Sequence, residues 1–146
     1  MSKGFTLVEI LIIIGIMAIL ATAIILTVNP PRQFAQTRNT QRWSNVNTII
    51  DAIYRNINDN GKFICPAGEL PKTVTPIKGG TNGYDLCRCL VSTYIGSIPF
   101  DPLLGTAHYN TCDDYDSGYT IAQSDSNRIT INAAAAELDA NISVSK

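Results

Sequence analysis

Cys65, Cys87, Cys89 and Cys112 offer three chemistries: disulfide pairing, zinc ligation by thiolates, or nucleophilic catalysis. A zinc held by four thiolates draws on C-x₂₋₄-C pairs, and this chain has none, since one residue separates Cys87 from Cys89. His108 is the single histidine and lies near Cys112, so it is the base a thiol nucleophile would use. A cysteine among three others reads better as a half-cystine, and no G-x-S-x-G, H-E-x-x-H or phosphate-binding loop is present. No enzyme activity and no cofactor are expected. Four cysteines allow three pairings. A Cys87–Cys89 bridge would close a very tight ring, which leaves Cys65 paired with one of the two and Cys112 with the other. Each bond would contribute about 2 to 4 kcal/mol. Asp113, Asp114 and Asp116 crowd beside Cys112. Oxygen ligands at this density can bind calcium, but the spacing is not that of an EF-hand loop, and a solvated acidic turn is the plainer reading.

These groups need elements to hold them, and 146 residues supply one small domain rather than separate cofactor and substrate halves. With a net charge of −1, the chain lacks the excess of Lys and Arg that marks a nucleic-acid-binding protein. Much of the aliphatic content is concentrated between Phe5 and Val28. As a helix this run would be roughly 36 Å long, enough to cross a hydrocarbon core of about 30 Å. It is apolar on every face, so it is not an amphipathic surface helix. Its one charge is Glu9. An ionisable residue inside a span costs about 2.5 to 3.5 kcal/mol on insertion scales. A neutralising partner for Glu9 must therefore come from another chain, from lipid headgroups or from protonation.

Met1-Ser2-Lys3-Gly4 forms a short polar leader. An ordinary secretory signal would be cut at Ala21-Thr22-Ala23, but the apolar run continues past that point and carries an acid inside it. The stretch Lys3-Gly4-Phe5-Thr6-Leu7-Val8-Glu9, followed by an unbroken aliphatic helix, resembles the type III signal of type IV pilins and pseudopilins. The resemblance implies that a prepilin peptidase cuts after Gly4 and N-methylates Phe5. It also implies that Glu9 assists assembly by pairing with the Phe5 amine of a neighbouring subunit. Fainter likenesses are Asn29-Pro30-Pro31, similar to a helix interruption in many members, and Ile98-Pro99-Phe100-Asp101-Pro102, similar to the Pro-x-Asp-Pro turn of many family heads.

Beyond the span, Pro30 and Pro31 lack backbone N–H groups, so the helix is expected to break or kink near Thr27 to Pro31. A second helix is expected from about Arg32 to Asn58. Its buried stripe would comprise Phe34, Trp43, Val46, Ile50, Ile53 and Ile57, flanked by Ile49 and Tyr54. Asn58-Asp59-Asn60-Gly61 closes it, Gly61 being suited to a left-handed cap. Arg32, Arg38 and Arg42 form a basic run that would meet headgroups or acids of neighbouring subunits, or form a solvated face. Pro66 to Tyr84 reads as loop, and Leu86 to Tyr94 as strand or short helix. Tyr119–Gln123 and Arg128–Asn132 read as a hairpin. A helical turn over Ala133 to Leu138 and a last strand over Ile142 to Val144 complete the head.

The expected fold class is therefore α+β: a long N-terminal helix packed on a small antiparallel sheet. The expected parts are leader 1–4, span and filament core 5–28, amphipathic half 29–60 and globular head 61–146. The resemblance implies a filament subunit, stored as a single-pass protein of the cytoplasmic membrane and then exported into a pilus. Its implied partners are copies of itself, the inner membrane, prepilin peptidase, an assembly platform and a cytoplasmic ATPase. The remaining alternatives are a minor pseudopilin of a secretion or DNA-uptake system, an anchored binding module that never polymerises, and a protein released by cutting after Ala23. In an exported head the cysteines are expected to be oxidised. Asn141-Ile142-Ser143 fits N-x-[ST].

Overall fold

A run with one acid and no polar face can satisfy its backbone in lipid only as a helix. The computed structural model describes residues 4–146 and builds that run as α1 (Leu7–Val28). The helix ends at Asn29, which adopts a left-handed conformation (φ 42°). Pro30 and Pro31 then open α2 (Pro30–Asn60). The interruption is where the prolines were expected to put it, but they start the second helix rather than lie ahead of it. The first helical turn needs no amide donors, and the fixed φ of proline already suits it.

The chain separates into two compact units, one ending at Ala35 and one covering Gln36–Lys146. In the second, α2 is followed by β1 (Thr75–Lys78), the short helix α3 (Cys87–Leu90), β2 (His108–Thr111), β3 (Asp114–Gln123), β4 (Ile129–Ala133) and β5 (Ile142–Ser145). The sheet is antiparallel in the order β1-β3-β4-β5, with β2 also paired to β3. Strand β3 alternates buried Tyr115, Ser117, Tyr119 and Ile121 with outward residues, the period-two pattern of a sheet with one covered face. Val46, Ile49, Ile50 and Ile53 of α2 lie in one core with Tyr119, Ile121, Ile129 and Ile131. Gly61 (φ 73°) caps α2 in the left-handed region, as its position predicted.

Several sequence expectations change. Phe34 and Trp43 are exposed, and their places on the buried stripe go to Asn39 and Arg42. The region 66–84 contains β1. Pro76 is tolerated there because β1 lies at the sheet edge and donates little to the ladder. Of Leu86 to Tyr94 only Cys87–Leu90 is helical (α3), with a turn closed by a bridge between Val91 and Ile95 after it, and β2 is an added strand. Residues 134–140 form turns instead of a helical turn, because Asn39 takes the backbone N–H of Glu137 and Leu138 and Asp139 are left-handed. The hairpin and the final strand stand where expected.

Candidate processing and assembly site

Gly4 and Phe5 precede α1 in non-helical, exposed backbone, so the peptide bond between them lies outside the helical hydrogen-bond ladder. Thr6 is the N-cap, with extended φ and ψ. Its hydroxyl accepts from the Glu9 backbone N–H at 3.3 Å, while Glu9 Oε2 accepts from the Thr6 N–H and the Thr6 hydroxyl, each at 2.8 Å. This is a capping box, which satisfies two of the amides left open at a helix start. Thr6-Leu7-Val8-Glu9 has the S/T-x-x-E form of that motif, a signal present in the sequence itself. Glu9 therefore has hydrogen-bond partners in its own chain before any neighbour arrives, although Thr6 brings no charge. Oε1 of Glu9 makes no hydrogen bond among the described residues.

From Leu7 to Ile24 the helix has a mean hydropathy of 2.8 with none of that window buried, long and apolar enough to cross a membrane. Leu7, Ile10, Leu11 and Ile14 stand exposed along it. An apolar surface of this extent marks contact with lipid or protein.

The basic run divides into different roles. Arg42 is fully buried and grips Asp101 bidentately, Nε to Oδ2 at 2.7 Å and Nη2 to Oδ1 at 3.0 Å. Its Nη1 donates to Glu137 Oε2 at 2.8 Å and to Asn39 Oδ1 at 2.9 Å. Arg38 Nε donates to Glu137 Oε2 at 2.7 Å. Asp101 Oδ1 also accepts the backbone N–H groups of Leu103 (2.9 Å) and Leu104 (3.0 Å). Burial pushes the Asp101 carboxyl up, but the hydrogen bonds from Arg42, Leu103 and Leu104 outweigh it and hold the group below the ordinary aspartate range. Hydrogen bonds from Arg38 and Arg42 hold Glu137 down at about 2. Gly118, at φ 72°, lets this turn approach β3, for a Cβ there would stand 3.1 Å from Asp101 Cβ. Arg38 and Arg42 are thus internal ties between α2, the Pro-x-Asp-Pro turn and the C-terminal turn, rather than headgroup contacts or a solvated face.

The cysteines pair as Cys65–Cys89 and Cys87–Cys112, with Cα separations of 4.9 and 5.2 Å, inside the range a disulfide spans. Cys87 and Cys89 sit two residues apart on α3, about 200° around a helix, so their sulfurs leave in different directions. Asp113, Asp114 and Asp116 do not converge. Asp113 pairs with Arg88, Asp114 with His108 (2.9 Å) and Asn110 (2.8 Å), and Asp116 accepts the Gly118 N–H at 2.9 Å. Among the described residues no group of His, Cys, Asp or Glu is arranged to hold a metal.

The Asp114 hydrogen bond raises the pKa of His108, with help from the Thr106 carbonyl. The stabilisation from that pair is full below the unfolded value of about 6.5 and is lost as pH rises through the folded one. Asp114→Asn is expected to lower the His108 pKa toward the ordinary imidazole value, with the Thr106 carbonyl still holding it up, read by NMR titration of its ring protons. An unmoved titration would refute the assignment.

Residues 1–25 match the family model described as the prokaryotic N-terminal methylation motif. No curated protein and no solved structure matches the chain. The motif supports a type IV pilin-like or pseudopilin precursor. The apolar helix that follows fits membrane anchoring before assembly. The motif is a structural one, not that of an enzyme family.

Proposed function

We propose that this chain is the structural subunit of a type IV pilus or pilus-like filament, cleaved after Gly4, N-methylated at Phe5 and polymerised through its N-terminal helix. The observation that carries the reading is the coincidence of the methylation motif with an exposed apolar helix bearing one acid. In this reading residues 1–4 are the leader, 5–28 the span and filament core, 29–60 the second half of the spine and 61–146 the head. The subunit waits in the cytoplasmic membrane with its head outside. An assembly platform and a cytoplasmic ATPase then lift it into an extracellular or periplasmic filament.

Cleavage makes the Phe5 amine a cation, with an ordinary pKa near 8. Glu9 of an incoming subunit pairs with that amine on its neighbour and so removes an uncompensated charge from lipid. The free Oε1 supports this role, because Glu9 can accept the amine without giving up its cap. Glu9→Gln retains an oxygen for Thr6 but loses the charge. It is expected to leave N-terminal processing intact and reduce sheared filament by at least about tenfold, the equivalent of about 1.4 kcal/mol per subunit addition. The N-terminal mass should show methyl-Phe5. A retained Met1 with undiminished polymer in the Gln variant overturns the proposal, and an N-terminus at Ile24 favours a secreted protein.

A further inference from the structure

We infer that Asn141 is an acceptor for N-linked glycosylation, an inference that rests on the exported head proposed above. Of the twelve asparagines, Asn141 alone has Ser or Thr at the second following position. The structure adds what a sequence match lacks. Ile142, between the two motif residues, is fully buried, while Asn141 and Ser143 on either side of it are exposed. In extended chain, residues two apart project to one face, and both border the same shallow open groove on the solvent side of the sheet. Thr120, Ala122, Thr130 and Asn132 line it together with exposed Val74, a mixed surface of small polar and apolar side chains. The pairing Thr120↔Asn132↔Ser143 runs straight across three strands to the motif.

The Asn141 carboxamide makes no hydrogen bond among the described residues. By contrast, the amides of Asn39, Asn45, Asn56 and Asn110 are all engaged. Its modification therefore breaks no contact of the fold. Two residues earlier, exposed Asp139 sits in a left-handed turn (φ 54°). Its carboxylate offers a transferase a charged handle for an Arg or Lys.

The donor is an oligosaccharide joined to a lipid pyrophosphate. Asn141 Nδ2 forms a bond to the anomeric carbon as the carbon–oxygen bond to phosphate breaks. The lipid pyrophosphate leaves with that electron pair, and the amide proton passes to a base of the transferase. No oxidant or reductant is involved.

The test is to express the full chain in bacteria that carry a membrane oligosaccharyltransferase and a lipid-linked glycan of known mass, beside a control acceptor. Trypsin cuts after Arg128, so Asn141 lies in the peptide Ile129–Lys146. That peptide is expected to carry the glycan mass on Asn141, to lose it in Asn141→Gln and Ser143→Ala, and to fall at least threefold in occupancy in Asp139→Ala. Thiol alkylation before and after reduction reports where the head resides. An unmodified peptide with oxidised cysteines and a glycosylated control overturns this inference and leaves the exported head standing. An unmodified peptide with free thiols overturns both. Occupancy unchanged in Asp139→Ala removes the charged handle.

Discussion

Asp101→Asn is expected to destabilise the Gln36–Lys146 unit by about 3 kcal/mol, in line with the roughly 3 to 5 kcal/mol measured when one partner of a buried ion pair is removed. Asn matches Asp in size but offers one oxygen and sets an amide against the guanidinium, so Arg42 keeps only Glu137 as a charged partner. Both Arg42 and Asp101 are essentially inaccessible to water, so solvent cannot replace the lost acceptor. For a unit of this size the melting temperature should fall by roughly 10 °C, measured on the full chain in detergent. The double variant Arg42→Met with Asp101→Leu is expected to recover most of the loss, because apolar replacement of a whole buried pair is commonly neutral. A single variant that melts within about 2 °C of the parent would show that the pair does not hold the turn.

The same cluster sets an acid limit. The Asp101 and Glu137 carboxyls both titrate lower in the folded chain than in the unfolded one. Their stabilisation is therefore complete above the unfolded values of about 4, shrinks as pH falls below them and disappears once the folded carboxyls protonate, near 2 for Glu137. Urea midpoints from pH 6 to 2 should fall more steeply for the parent than for Asp101→Asn. Parallel curves would remove Asp101 from the acid response.

Hydropathy and spacing made the membrane helix, the break after it, the β3–β4 hairpin and the final strand legible, because each is a local pattern. Arg42 was misread because its role depends on Asp101 and Glu137, fifty-nine and ninety-five residues away. Periodicity scores an arginine as solvent-facing and a tryptophan as buried, so Trp43 was placed on the stripe that Arg42 occupies. Strand β1 was hidden by its flanking breakers and by Pro76, which an edge position accepts. The Thr6–Glu9 cap was different. It is written in four consecutive residues, and it serves the backbone amides of the helix start rather than the Glu9 charge.

Removing the Cys65–Cys89 bond as the double variant Cys65→Ser with Cys89→Ser should lower stability by about 3.5 kcal/mol, the chain-entropy value for a ring of this length. Both partners must be changed, since a lone thiol left at residue 65 or 89 is a nucleophile for thiol–disulfide exchange. Cys87→Ser with Cys112→Ser closes a ring of nearly the same length, with sequence separation 25 against 24. It is expected to have a similar effect, read as a shift in the urea midpoint at unchanged pH. The two effects should not add, because the rings overlap at residues 87–89 and each bond already restricts part of the other's loop. The segment from Gly61 to Tyr84 holds only the four-residue β1 as regular structure, so the Cys65 crosslink is its main constraint in the unfolded chain. An effect near zero in either double variant would mean that packing around Leu70, Ile77 and Leu86 already orders the loops without the bonds.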